Sequence, residues 1–352
     1  MTPPKLDLRG VTKRYGDAVA LHPTDLTVAN GEFLTLLGPS GSGKTTLLMM
    51  IAGLTETSGG HILLDGHDIT LSPAYRREIG VVFQNYALFP HLSVFENVAF
   101  PLRMRKQEQG RVKAAVGRAL DLVRLGHLAS RLPNELSGGQ QQRVAFARAI
   151  VFEPQLVLMD EPLGALDKKL RDELKLEIRK LHAELKKTIV YVTHDQEEAM
   201  LLSDRVCLMN EACVEQIDTP VALYDRPRSR FAAAFVGESN LIDGVVRGGA
   251  IDVAGCLLRT AYPGRLPPEG HKVTVLVRPE RLRIAAVSEN SAFTGTVIDI
   301  IHLGAVHRLV IAVGGGLTLT MTVLGGAHLL EQGATIAMAV SPEDVVPLVE
   351  AP

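Results

Sequence analysis

Residues 38–45 read Gly38-Pro39-Ser40-Gly41-Ser42-Gly43-Lys44-Thr45, glycines followed by a lysine and a threonine at the spacing of a loop that wraps phosphate. The backbone N–H groups of such a loop converge on phosphate oxygens, and the helix start behind it adds positive potential. Lys44 can reach terminal phosphates, and the Thr45 hydroxyl can sit on Mg²⁺. A second chemical pair, Asp160-Glu161, directly follows the apolar run Leu156–Met159. Carboxylates at the end of an apolar strand lie at the carboxyl edge of a parallel sheet, where ligands bind. There Asp160 suits Mg²⁺ through water, and Glu161 suits polarising an attacking water.

A third feature is Ser137-Gly138-Gly139-Gln140, which opens a helix running to about Val151. Ser with Gln three residues later has the form of a capping box, and the two glycines let an anion approach the backbone. The sequence therefore holds two helix starts suited to anions, one with metal-binding and general-base partners.

The elements that position these groups follow from hydropathy. Phe33–Leu37, Ile79–Phe83, Leu156–Met159, Ile189–Thr193 and Arg205–Met209 are short apolar runs with helical patterns between several of them. They predict a mostly parallel sheet covered on both faces, with Phe33–Leu37 feeding the glycine loop and a helix from Thr46 to Ala52 leaving it. Leu170, Leu174, Ile178, Leu181 and Leu185 form one stripe of an amphipathic helix. Residues 90–150 show helical periodicity and no confident strand, which predicts a helical subdomain inserted in the α/β unit. After Gly237 the texture changes to short β-type runs, Lys272–Val277, Thr294–Ile301, Val306–Val313 and Leu317–Val323, divided by turns such as Gly314-Gly315-Gly316. That spacing predicts a small all-β barrel or sandwich over 237–352, after an α/β domain over 6–236. Val277-Arg278-Pro279-Glu280 is echoed by Val340-Ser341-Pro342-Glu343, a hint of duplicated halves.

Composition bounds the function. At 352 residues with 46% hydrophobic side chains and no Trp, the chain can build two aliphatic cores. Its formal charge is −2, from 37 basic and 39 acidic residues, so no net basic face argues for a nucleic-acid partner. Cys207, Cys213 and Cys256 lack paired spacing and are expected to be reduced, in a cytosolic compartment. Met1-Thr2-Pro3-Pro4-Lys5 begins no signal peptide, and no apolar run approaches the ~20 residues that cross a bilayer. A membrane role is therefore expected to be peripheral.

Leu136-Ser137-Gly138-Gly139-Gln140 is the signature string of ATP-binding cassette (ABC) ATPases, and the chain resembles the ATPase subunits of ABC importers over nearly its whole length. The resemblance implies a P-loop ABC ATPase fold with an OB-like regulatory barrel of the TOBE type, carried by Arg278-Pro279-Glu280 and Gly237-Glu238-Ser239-Asn240. It implies ATP and Mg²⁺ as cofactors. Tyr15 matches the aromatic that stacks on adenine; Gly38 to Thr45, with Thr46, match the phosphate site. Gln84 matches the glutamine that contacts Mg²⁺ and senses the transmembrane partner, with Thr45 and Asp160 as the other metal residues. Glu161 matches the catalytic base and His194 the histidine on the γ-phosphate. Ser137, Gly138, Gly139 and Gln140 match the signature that meets ATP on the opposite subunit. Gly164-Ala165-Leu166-Asp167 matches the interface loop, with Gly164 where Ser is usual.

Further expectations follow from the resemblance. The partners would be a second copy of the chain, two transmembrane permease subunits and, indirectly, a periplasmic or lipoprotein solute-binding protein, at the cytoplasmic face of the inner membrane. Nucleic acid is not among them. The segment Gln84 to Asn97 either packs the helical subdomain through Leu88, Phe89, Leu92 and Phe95 or forms a groove for a permease helix, and the resemblance favours the groove. The wording Gly237–Asn240 and Tyr86–His91 looks most like polyamine-type transporters, with sugar, ferric iron, sulfate and aminophosphonate importers as alternatives. A soluble ABC ATPase of DNA repair or translation would share the nucleotide site, and so would an exporter ATPase.

Overall fold

The computed structural model describes residues 3–164, 166–285, 292–325 and 330–348. Ala165 of the interface-loop string lies outside them. The chain divides into two compact units, Met1–Pro220 and Val221–Pro352.

The first unit begins with strands β1 (Leu6–Tyr15), β2 (Ala18–Val28) and β3 (Phe33–Leu37), then helix α1 (Lys44–Ala52), and strands β4 (Gly59–Leu64), β5 (His67–Asp68) and β6 (Ile79–Val82). Helices α2 (Val94–Met104), α3 (Gln109–Leu122) and α4 (Gly138–Ile150) follow. The remainder is β7 (Leu156–Asp160), α5 (Lys168–Leu185), β8 (Ile189–Thr193), α6 (Gln196–Leu202), β9 (Arg205–Asn210) and β10 (Cys213–Asp218). Helices α7 (Pro220–Asp225) and α8 (Arg230–Phe235) come next; all but Pro220 fall in the second unit, whereas the sequence division at 236/237 puts both in the first.

The six-stranded sheet has the order β10-β9-β3-β8-β7-β6, parallel from β9 to β6 and antiparallel at β10. Its central strands are apolar throughout because both faces are buried. Val157, Met159, Ile189 and Tyr191 face a core shared with α2, α3, α4 and α5. Their alternate neighbours Leu156, Leu158, Val190 and Val192 face a second core with α1, β1, β2 and β4. The second cover differs from a simple helical layer: β2-β1-β4-β5 is a four-stranded antiparallel sheet that the sequence reading does not contain. Its alternation, such as buried Leu6, Leu8 and Val11 with more exposed residues between them, marks a sheet wet on one side.

The helical subdomain is present as three helices, and α5 follows the expected stripe, with Leu174 and Ile178 buried and Leu170, Leu181 and Leu185 packed against the same core.

The second unit continues with β11 (Asn240–Arg247), β12 (Ala250–Val253), β13 (Cys256–Leu258), β14 (Lys272–Val277), β15 (Arg283–Ala285), β16 (Phe293–His302), β17 (Val306–Gly314), β18 (Leu317–Leu324), β19 (Thr335–Ala339) and β20 (Val346–Pro347). They form two five-stranded antiparallel sheets, β13-β12-β11-β14-β20 and β15-β19-β16-β17-β18, around one aliphatic core. The echoed Pro-Glu strings have a common job. Each forms a 3₁₀ turn, Pro279–Arg281 after β14 and Pro342–Asp344 after β19, and each carries the chain from one sheet to the other.

Arg278 fastens the start of this unit. It is 4% exposed and donates to the carbonyls of Tyr224, Ala233 and Glu238 and to Ser239 Oγ. Its guanidinium also lies 4.0 Å from the centre of the Tyr224 ring.

Candidate functional site

Four neighbouring parallel strands deliver the chemical residues to one edge. Leu37 pairs with Thr193, Val192 with Asp160, and Met159 with Val82, so the carboxyl ends of β3, β8, β7 and β6 are level. The glycine loop leaves β3, His194 leaves β8, Glu161 leaves β7 and Gln84 leaves β6. This is the ligand edge of an open parallel sheet.

The loop from Gly38 to Gly43 folds tightly against the sheet. A Cβ on Gly38 would lie 2.1 Å from the Met209 carbonyl oxygen, so only glycine fits there. Lys44, two residues before the helix start expected at Thr46, opens α1 and is 5% exposed. Its Nζ donates to the Gly38 and Pro39 carbonyls at 2.8 Å each, and to Ser42 Oγ at 3.3 Å. Burial pushes the Lys44 ammonium below its ordinary range, against the opposing pull of Glu161 and Asp160. An ammonium so weakly hydrated is suited to a strongly charged anion.

Thr45 Oγ1 donates to Asp160 Oδ1 at 3.0 Å. Asp160 is 7% exposed, and burial raises its pKa, with the Thr45 hydrogen bond opposing. A hydroxyl and a buried carboxylate that touch are hard oxygen donors beside a phosphate loop, which fits Mg²⁺. Glu161 has φ +41°, an uncommon conformation for a non-glycine residue. It turns the chain out of β7 so that its carboxylate receives Gln84 Nε2 at Oε2 and faces His194 Nδ1 at Oε1, both 3.2 Å away. The chain on either side of His194 is anchored: Asp195 caps α6 through Glu197 and Glu198 N–H, and buried Glu198 accepts from Tyr191 and Thr193.

Ser137 and Gln140 form the expected capping box: Gln140 N–H donates to Ser137 Oγ and Ser137 N–H to Gln140 Oε1. The glycines have a packing reason beyond access. A Cβ on Gly139 would lie 3.1 Å from Leu170 Cδ1 and 3.3 Å from Leu174 Cδ1, where α4 meets α5. Asp167 caps α5, accepting from Leu170 N–H at 3.0 Å. Arg171 ties that turn to the His194 strand end, donating to the Leu166 carbonyl and pairing with Asp195 at 3.4 Å.

The structure thus brings Lys44, Thr45, Gln84, Asp160, Glu161 and His194 together. Among the described residues no hydrogen bond or ion pair joins Tyr15, or the start of α4 at Ser137, to that cluster. Tyr15 is 56% exposed at the end of β1, with Lys13 Nζ 4.8 Å from its ring centre.

Two arginines that sequence reasoning did not single out support the site. Arg77 is 4% exposed and donates to the Met50, Ile51, Ser72 and Thr70 carbonyls, capping the C-terminal end of α1. Arg148, near the end of α4, donates to the Tyr86 and Ala87 carbonyls at 2.8 Å each. Neither has a side-chain signature in the sequence: Arg77 joins carbonyls of α1, 26 and 27 residues away, to those of Thr70 and Ser72, and the Arg148 acceptors lie 61 and 62 residues away.

In the segment Gln84 to Asn97 the apolar side chains divide between the helical core and the surface. Leu88 and Phe95 pack against the helical core. Phe89 instead meets Phe100, ring centres 4.6 Å apart, and Phe100 is 36% exposed.

Comparison with known proteins gives the family. Residues 21–164 match the ABC transporter family and residues 275–348 the TOBE domain. The chain is 45% identical over 323 residues to the spermidine/putrescine import ATP-binding protein PotA of Rubrobacter xylanophilus, covering 89% of this chain and 85% of that one. It is also 45% identical over 325 residues to the spermidine/putrescine import ATP-binding protein PotA 2 of Pseudomonas aeruginosa, covering 90% of each. Among solved structures it resembles cbiO1 from Clostridium perfringens, part of the ABC transporter complex cbiONQ, with TM-score 0.58, 32% identity, and 62% of this chain and 89% of that one covered. It resembles as well the dimeric post-hydrolysis state of the ATP-binding cassette MJ0796 bound to ADP and Pi, with TM-score 0.54, 34% identity, and 61% of this chain and 98% of that one covered. Phosphate loop, acid pair, capped signature helix and C-terminal β unit agree with these likenesses, and the chain belongs to the ATP-binding subunits of ABC transporters that carry a C-terminal TOBE domain.

Proposed function

We propose that this chain hydrolyses ATP to drive import of the polyamines spermidine and putrescine. It does so as one of two identical subunits beneath two transmembrane permeases at the cytoplasmic face of the membrane, served indirectly by a solute-binding protein. The observation that carries the reading is 45% identity over about nine-tenths of the chain to proteins named for spermidine/putrescine import. No helix among the described residues is long and apolar enough to cross a membrane.

Roles for the residues follow from chemistry. The loop 38–45 and Lys44 bind the phosphates, and exposed Tyr15 offers a face for the base. Thr45 and Asp160 would hold Mg²⁺, with Gln84 beside them; the ion neutralises charge on the phosphates during transfer. Glu161 takes a proton from the attacking water, and His194 and Gln84 orient its carboxylate. The capped start of α4, Ser137 to Gln140, presents N–H groups to the phosphates bound by a second copy, and Asp167 sits at that junction. Two head-to-tail copies then share two nucleotides by twofold symmetry. Cleavage of the shared γ-phosphate removes the anion that both copies grip, and the pair opens.

The test has two arms. The purified chain should hydrolyse ATP in a Mg²⁺-dependent way. With its permeases it should restore labelled spermidine uptake to cells lacking polyamine import. Hydrolysis without polyamine uptake would remove the substrate assignment, and absence of hydrolysis would remove the whole reading.

A further inference from the structure

Just after Gln84, which donates to Glu161, the chain takes an unusual course. Tyr86 has φ +60° and Ala87 φ +45°, two successive left-handed residues that are not glycine. Such a pair is strained and persists only where surrounding contacts enforce it. Their carbonyls point to the same partner: Arg148 Nη2 donates to the Tyr86 oxygen and Nη1 to the Ala87 oxygen, each at 2.8 Å. The half-buried guanidinium has its pKa lowered by desolvation and lies 5.7 Å from the centre of the Phe89 ring. Charge-assisted bonds from a planar two-pronged donor fix both carbonyls at once, which a single ammonium cannot do.

The far end of the turn is fixed separately. Asn97, fully buried on α2, accepts from Phe89 N–H and donates to the carbonyls of Phe89, Leu92 and Ser93. Between the strand end at Val82 and this Asn97 clamp, the turn carrying Gln84 is closed by Tyr86 N–H on the Phe83 carbonyl, seated by the buried Tyr86 side chain and held at both following carbonyls by Arg148. Arg148 stands eleven residues beyond Ser137, on the helix whose other end is the capped start. One rigid helix, roughly 20 Å long at about 1.5 Å per residue, therefore has the Ser137 capping box at one end and the Gln84 turn at the other.

We propose that Arg148 is a positioning residue for hydrolysis. By gripping the Tyr86 and Ala87 carbonyls it places Gln84 on Glu161 and makes that placement follow the position of α4. In the ATP-sandwich reading above, on which this inference rests, a second copy's nucleotide at the start of α4 would thus be felt at the first copy's own Glu161. The relay is a packed, hydrogen-bonded path within one helix and one turn.

The experiment compares Arg148→Lys and Arg148→Met with the parent in steady-state ATP hydrolysis, binding of a fluorescent ATP analogue and thermal unfolding, and repeats Arg148→Lys in a Gln84→Ala background. Expected is a fall in kcat of about tenfold or more, with Lys retaining more activity than Met, and KM for ATP within about threefold of the parent. In the Gln84→Ala background the Lys substitution should add little further loss, because both changes act through one contact. Parental kcat in Arg148→Met would overturn the proposal. So would full additivity with Gln84→Ala, or losses in kcat, nucleotide binding and thermal midpoint that move together with Lys no better than Met. A parent protein without ATPase activity would instead remove the functional reading and this inference with it, whereas an active parent with unaffected variants removes the inference alone.

Discussion

His194 Nδ1 lies 3.2 Å from Glu161 Oε1 while Gln84 Nε2 lies 3.2 Å from the other oxygen of the same carboxylate. A general base must be aimed as well as basic, and this carboxylate is aimed from both sides by residues leaving two different strands. Glu161→Gln keeps the shape and removes the proton acceptor. It should bind ATP like the parent, favour the paired form on size exclusion with ATP and Mg²⁺, and hydrolyse at least about 100-fold more slowly. His194→Ala, which frees one oxygen, should lower kcat by about tenfold or more with little change in nucleotide affinity. Parental turnover in Glu161→Gln would deny it the role of base.

The ionised form of Asp160 costs the fold stability. Burial raises its pKa, so its carboxylate form is disfavoured in the folded chain relative to the unfolded one. For an acid shifted in this direction the cost is present at neutral pH and is relieved as pH falls through the raised folded value. Asp160→Asn removes the charge while keeping an acceptor for Thr45. The variant should melt at a higher temperature than the parent without nucleotide, lose the extra stabilisation by Mg²⁺-ATP, and be nearly inactive. A lower melting temperature for the nucleotide-free variant would contradict the cost.

The cysteines make a pH prediction of defined sign. Burial pushes the Cys207 thiol up from about 9 to about 12, because a thiolate inside the aliphatic core loses its hydration. The neutral thiol is the form the fold prefers, so this contribution to stability is complete below about 9 and declines as pH rises toward 12. At pH 8 a thiol reagent should label exposed Cys213 quickly, half-buried Cys256 more slowly and Cys207 only after denaturation. Rapid labelling of Cys207 in the native protein would contradict its burial.

Phe89 and Phe100, not Leu88, are the apolar side chains to test for permease docking. Leu88 belongs to the helical core, and a charge there would damage the fold itself. Phe100→Asp should leave ATPase activity and melting temperature near the parent values and reduce substrate uptake in the assembled transporter. Full uptake with Phe100→Asp and Phe89→Ala combined would remove this surface from the coupling path.

Arg278 predicts a local stability effect in the second unit. Four acceptors meet on its guanidinium, and Arg278→Ala leaves the Tyr224, Ala233 and Glu238 carbonyls without that donor. The expected destabilisation is about 3 kcal/mol, at the upper end for one substitution. Protease sensitivity of residues 221–348 should rise while ATP binding by the first unit persists. Unchanged protection of the second unit would show that the arginine is dispensable.

The nucleotide chemistry was legible in the chain because each of its parts is a local string. A glycine loop needs neighbours in sequence to set its turns, an acid pair needs the apolar strand before it, and a capping box closes within three residues. The same held for the buried parallel strands, whose unbroken apolar runs betray burial on both faces, whereas the echoed Pro-Glu strings were visible only as a repeat, and their place at the two sheet crossings came from the structure. The N-terminal antiparallel sheet was not legible, since β1 and β2 are half-wet strands with bulged pairing and mixed composition. Nor were Arg77 and Arg148, whose partners are backbone carbonyls that carry no side-chain signature and come near only on folding. Sequence alone pointed to the candidate chemical groups and to the strand ends on which they stand. Tertiary structure decided that β3, β8, β7 and β6 lie side by side in that order, so that residues up to 115 positions apart, Thr45 and Asp160, come within hydrogen-bonding distance. The physical reason is that strand order is set by how two cores fill on opposite faces of one sheet, a property of the packed whole that no short segment contains.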